Sequence, residues 1–108
     1  MFRQGDILLQ PIGERTVPTG VKTLPTKPRD ARGRLVLALG EATGHAHAVV
    51  GEGTLYLAPE PMLIGHLHLD EATRIVHEEH ATIDLPKGWY RVVRQREYIP
   101  GAVRMVAD

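Results

Sequence analysis

The chain contains no cysteine and no serine in its 108 residues. The first absence excludes disulfides, thiolate zinc sites, iron–sulfur clusters and a cysteine nucleophile. The second excludes any Ser–His–Asp arrangement, and the threonines stand in no nucleophile-elbow context. No apolar run is long enough for a signal peptide or a membrane span, so a cytoplasmic protein with no membrane partner is the expectation. A phosphate-cradling loop is missing as well, because "GEATG" (40–44) lacks the Lys-Ser/Thr of a P-loop.

The length is that of one domain, 1–108, able to bury a core without staples. Net charge is zero but unevenly spread. Residues 1–40 carry seven Lys/Arg against three Asp/Glu, residues 41–88 two against eight, and residues 89–108 four against two. All six histidines fall in the acidic middle. That surrounding suits a divalent cation better than a phosphate backbone.

Short apolar runs between turn signals predict an all-β chain. "GDILLQPI" (5–12), "RLVLALGE" (34–41), "MLIGHLHL" (62–69) and "WYRVVRQREYI" (89–99) read as strands. "HAHAVV" (45–50), the turn "GEG" and "TLYLA" (54–58) read as a hairpin. "TRIVHEEHATIDL" (73–85) is strand-like, with a bulge at Glu78–Glu79. The tail after Ile99 suits a helical turn or an edge strand. Residues 13–33 hold three prolines and three glycines, which predicts a long flexible loop or arm. Strands at this spacing indicate a small, partly open β-barrel.

The histidines carry the chemistry. On a strand, side chains alternate faces, so His45 and His47 share a face with Val49. Two imidazoles at i and i+2 are spaced to meet one ion from one side. In "HEEH", a bulge or a helical turn would bring His77 and His80 to one face. His45, His47, His77 and His80 are the expected metal ligands. Glu79, or else Glu78 or Glu41, is the expected fifth ligand or the base for a bound water. Imidazoles with a carboxylate suit Zn²⁺, Fe²⁺, Mn²⁺ or Ni²⁺. His66 and His68 read instead as an outward polar face.

Three resemblances add to this reading. "GDILLQPI", the Pro/Gly-rich 13–33, "TGVKTLP" and "RGRLVLALGEATG" make residues 5–44 similar to the first part of a ten-kilodalton cochaperonin. That implies a partly open barrel, a ring-forming homo-oligomer, and a loop that contacts a larger protein partner. "GHAH" with Glu52, followed by "PKGWYR", resembles the cupin motifs, although Arg91 stands where a cupin has its last histidine. The string "GEATGHAHAV…HEEH…LPKGWYRVVRQREY" also looks like a group of small uncharacterised bacterial and phage proteins.

The leading expectation is therefore a divalent-metal-binding β-barrel, extending to a metal-dependent hydrolase or oxygenase acting on a small molecule. One alternative is a cochaperonin-like scaffold that binds a partner through 13–33. The other is a metal-free RNA-acting or RNA-binding protein, in which the histidines are acid and base and Arg94 and Arg96 hold the anion.

Overall fold

The computed structural model describes residues 1–40, 44–58, 60, 62–99 and 102–105, with side chains described no further than residue 95. The described chain is all-β, with two single-turn 3-10 segments, Glu14–Thr16 and Val21–Thr23, and no α-helix. Eleven strands follow in order: β1 (Phe2–Gln4), β2 (Ile7–Ile12), β3 (Leu35–Leu39), β4 (Ala46–Val49), β5 (Thr54–Leu57), β6 (Leu63–Leu69), β7 (Thr73–Val76), β8 (Ile83–Leu85), β9 (Gly88–Arg94), β10 (Arg96–Ile99) and β11 (Ala102–Met105). They form a five-stranded sheet in the order β1-β2-β9-β6-β5, a four-stranded sheet in the order β3-β4-β7-β8, and a β10–β11 hairpin. Every described ladder is antiparallel.

The two larger sheets bury one shared apolar cluster. Ile7, Leu9, Leu55, Leu67, Leu69, Tyr90 and Val92 come from the five-stranded sheet, and Leu35, Leu37, Val49, Ile75 and Leu85 from the four-stranded one. Period-2 alternation produces this arrangement: Leu67 and Leu69 point into the cluster while His66 and His68 point away. No described ladder joins the two large sheets, so the barrel closure expected from sequence does not appear among the described residues.

Three expected elements form differently. The predicted hairpin of 45–58 does not form, because β4 pairs with β3 and β7 whereas β5 pairs with β6. The "GEG" segment instead carries the chain from one sheet to the other, and it passes so close to Thr73 that a β-carbon on Gly51 would overlap that side chain. Residues 73–85 are not one bulged strand. They form a β7–β8 hairpin in register Thr73↔Leu85 and Ile75↔Ile83, with "HEEH" in its turn. The strand expected over 89–99 is broken at Gln95, whose N–H is drawn off to the Asp6 carbonyl.

The segment read from sequence as a loop, 13–33, is tied to the five-stranded sheet. Lys27 N–H donates to Leu55 O and Leu57 N–H to Pro25 O, which sets a bridge between Thr26 and Tyr56. Asp30 closes the far end. Its Oδ1 accepts from the Arg32 and Arg34 amides and its Oδ2 meets Arg34 Nε at 2.9 Å, and these bonds, the Arg34 amide first, hold its carboxyl below the usual range.

Candidate functional site

The histidine-bearing strand β4 is buried along its whole length. Alternation turns His47 and Val49 inward, and His47 has no exposed surface. The β4–β7 ladder pairs Ala48 with Val76 and Val49 with Ile75. One step further in the same register sets His47 across from His77, and their ring centroids lie 4.4 Å apart. The turn after β7 then brings His80 to the same side. His77 and His80 are 4.7 Å apart, His47 and His80 6.1 Å, and His45 and His77 5.4 Å. The structure thus brings together the rings of His45, His47, His77 and His80.

The hydrogen bonds of two rings fix their tautomers. Gln4, inward-facing on β1, donates through Nε2 to Ile75 O at 3.3 Å and Ala81 O at 3.0 Å. Its Oε1 is therefore the atom that meets His47 Nδ1 at 2.9 Å. His47 Nδ1 carries a hydrogen and donates it to Gln4. His77 is the reverse case: its Nδ1 accepts from the Glu79 amide at 3.0 Å and from the His80 amide at 3.3 Å. A neutral His77 carries its hydrogen on Nε2.

The carboxylates divide by task. Glu78 Oε1 accepts from the Ala46 amide at 2.8 Å, which caps the start of β4, while its Oε2 lies 3.9 Å from Arg34. The hydrogen bond from the Ala46 amide, followed by that from the residue's own amide, lowers the Glu78 carboxyl below its ordinary value. Glu79 is exposed and approaches His45 Nδ1 only to 3.7 Å. Glu41 lies outside the described residues.

Arg94 turns inward from the end of β9. Its Nε lies 3.4 Å from Asp6 Oδ2, and its Nη2 donates to Leu39 O at 2.9 Å. The Arg96 side chain lies outside the described residues. Tyr90, which shares a face with Arg94, is packed in the core, where its hydroxyl donates to Pro86 O and burial raises its pKa.

Sequence reasoning missed Gln4 and Asp6. Both are 2% exposed and both reach His47, Asp6 with Oδ1 at 3.5 Å from Nε2. The available signal was slight: Gln4 alternates with Phe2 on one face, and Asp6 reads as an ordinary residue of a two-residue Gly-first turn, with Gly5 at φ 57°.

His66 and His68 lie apart from these rings, on the other face of β6. The His68 ring packs tilted against Trp89, centroids 4.5 Å apart, and His66 sits opposite Tyr56 and Arg91. Burial, with the Arg91 charge second, lowers the His66 pKa.

A family model described as a domain of unknown function (DUF8820) matches residues 3–95. The chain belongs to that family. The match spans both large sheets and every residue placed around His47, and it stops before the β10–β11 hairpin. No curated protein and no solved structure matches this DUF8820 chain. Among the described residues, no group of three or more His, Asp or Glu side chains is arranged to hold a metal ion as it stands. No described helix is long and apolar enough to cross a membrane.

Proposed function

We propose that this DUF8820 chain binds one divalent transition ion, Zn²⁺, Fe²⁺, Mn²⁺ or Ni²⁺, between the ends of its two large sheets, with His45, His47 and His80 as nitrogen donors. The observation that carries the reading is that His45 Nδ1 and His80 Nε2 are both shielded from water and hydrogen-bonded to no described group. A buried imidazole nitrogen left without a partner costs roughly 1–3 kcal/mol, and an ion removes that cost. Because the rings do not yet form a ligand sphere, binding requires those on the 77–80 turn to reorient. Hydrolysis or oxygen chemistry on a small molecule is the activity such a centre would support if it keeps an open position. The finer fold reading that goes with it is a partly open barrel of the cupin kind, supported by the inward face of β4.

The test is metal analysis and calorimetric titration of protein purified without a histidine tag. One ion per chain is expected, lost in the His45→Ala/His47→Ala double variant. Sub-stoichiometric metal, with no heat on titration by any of the four ions, overturns the reading.

A further inference from the structure

We propose that the cavity over Trp89 binds a small quaternary or methylated ammonium ion, and that Lys22 stands in for that cation within the chain. The site lies on the outward face of the five-stranded sheet and is independent of the metal reading.

Trp89 pairs with His68 across the β6–β9 ladder, and alternation turns both away from the core that Tyr90 and Val92 enter. A side chain on an outward face ordinarily meets water, yet Trp89 is only 5% exposed. Two rings back it. His68 packs tilted with its centroid 4.5 Å away, and Tyr56 lies at 5.8 Å with its plane 24° from that of the indole. The 13–33 segment comes over the same indole. Its second 3-10 turn, Val21–Thr23, buries Val21 and carries Lys22 Nζ over the ring, 5.8 Å from the centroid. A cavity of about 310 Å³ remains there, and its lining includes Glu14, Val17, Pro18, Val21, Lys22 and Trp89.

The chemistry of that lining selects a cation. The face of an indole carries negative charge density and attracts a cation within about 6 Å of its centroid. Lys22 stands at the outer limit of this range, and no hydrogen bond or ion pair of its ammonium is described. A primary ammonium is strongly hydrated, so the ring holds it weakly. Methyl groups replace its hydrogen-bond donors, so a quaternary ammonium gives up less hydration to reach the ring. Among the described residues, Glu14 and Lys22 are the charged side chains of the lining. Displacing Lys22 therefore leaves the Glu14 carboxylate as the charge of the cavity. A second cleft that shares Glu14 and Trp89 sets Lys87 against Asp70, so Glu14 is the unbalanced charge there too. The volume is at the lower end of ligand cavities, about 300–1,000 Å³, which fits a small ion rather than a large cofactor.

Trp89 is the only tryptophan of the chain, so its fluorescence reads the site directly. Full-length protein is titrated with choline at constant ionic strength, and in parallel with neohexanol, its uncharged isostere. A saturable change in emission is expected with choline, with neohexanol at least ~5-fold weaker, the size of a partly desolvated cation–π contact. Lys22→Met keeps an unbranched apolar stem and removes the charge, and it should tighten choline by roughly 3–10-fold. A wild type that is silent beside a responsive Lys22→Met also supports the proposal, because Lys22 then blocks the site outright. Neohexanol binding as well as choline makes the cavity merely apolar and overturns the proposal. A flat choline titration in both proteins does the same. Choline binding that Lys22→Met leaves unchanged or weakens overturns the role of Lys22, while the comparison of the two ligands on the wild type does not depend on how the variant folds.

Discussion

Gly65 is wedged against the neighbouring strand: a β-carbon there would overlap the Tyr56 carbonyl oxygen, at the Leu57↔Gly65 end of the β5–β6 ladder. Main chain cannot move aside as a flexible side chain would. Gly65→Ala should therefore push β5 off β6 and destabilise the fold by about 2 kcal/mol or more, read as a lower urea midpoint. The equivalent change at Gly13, where a β-carbon meets nothing within 4 Å, should cost far less. Single residues also set the polarity of the interior. Gln4 spends its whole amide on Ile75, Ala81 and His47, so one side chain of the five-stranded sheet meets a carbonyl and an imidazole of the other sheet and a carbonyl of its β7–β8 connection.

At the scale of elements, β4 begins on a carboxylate. Glu78 holds the Ala46 amide in its ionised form, and its pKa is depressed in the fold. A depressed carboxyl contributes stability that is present above its unfolded pKa and is lost as pH falls through the folded value. Glu78→Ala should accordingly lower stability near pH 7 by on the order of 0.5–1 kcal/mol, discounted for a partly solvated group. The gap to wild type should close below the ordinary Glu value of 4.5, in denaturation curves taken across that range. The shared face of His45, His47 and Val49 was legible in sequence, because period 2 alone puts them together, but that the face turns inward was not. Nor was the pairing of β4. A glycine-rich connection between two short apolar runs reads the same whether the runs pair with each other or separate into different sheets, and "GEG" does the second. "HEEH" was legible as a place where the strand departs from regularity, but a bulge and a hairpin turn both bring His77 and His80 to one side. Asp6 was hidden for a different reason: nothing local distinguishes a solvated turn aspartate from one folded inward onto a histidine 41 residues later in the chain.

At the scale of the molecule, the two sheets share one core, while β10 and β11 have a described ladder only with each other. The family match also ends at residue 95. A chain truncated after Gln95 should still unfold in one cooperative transition, within about 4 °C of the full-length melting point and with the near-ultraviolet signal of Trp89 preserved. Loss of cooperativity would make the hairpin part of the domain. Gln4 carries one more consequence, for the order of events during synthesis. It leaves the ribosome 71 residues before Ile75 and 77 before Ala81, and Arg94 follows later still. The polar interior therefore cannot close until Arg94 has been made, and shorter nascent chains hold Asp6 without that long-range partner. Water must solvate both Gln4 and Asp6 until the strands that carry their partners have been made, so the histidine site is assembled from segments that are synthesised far apart in time.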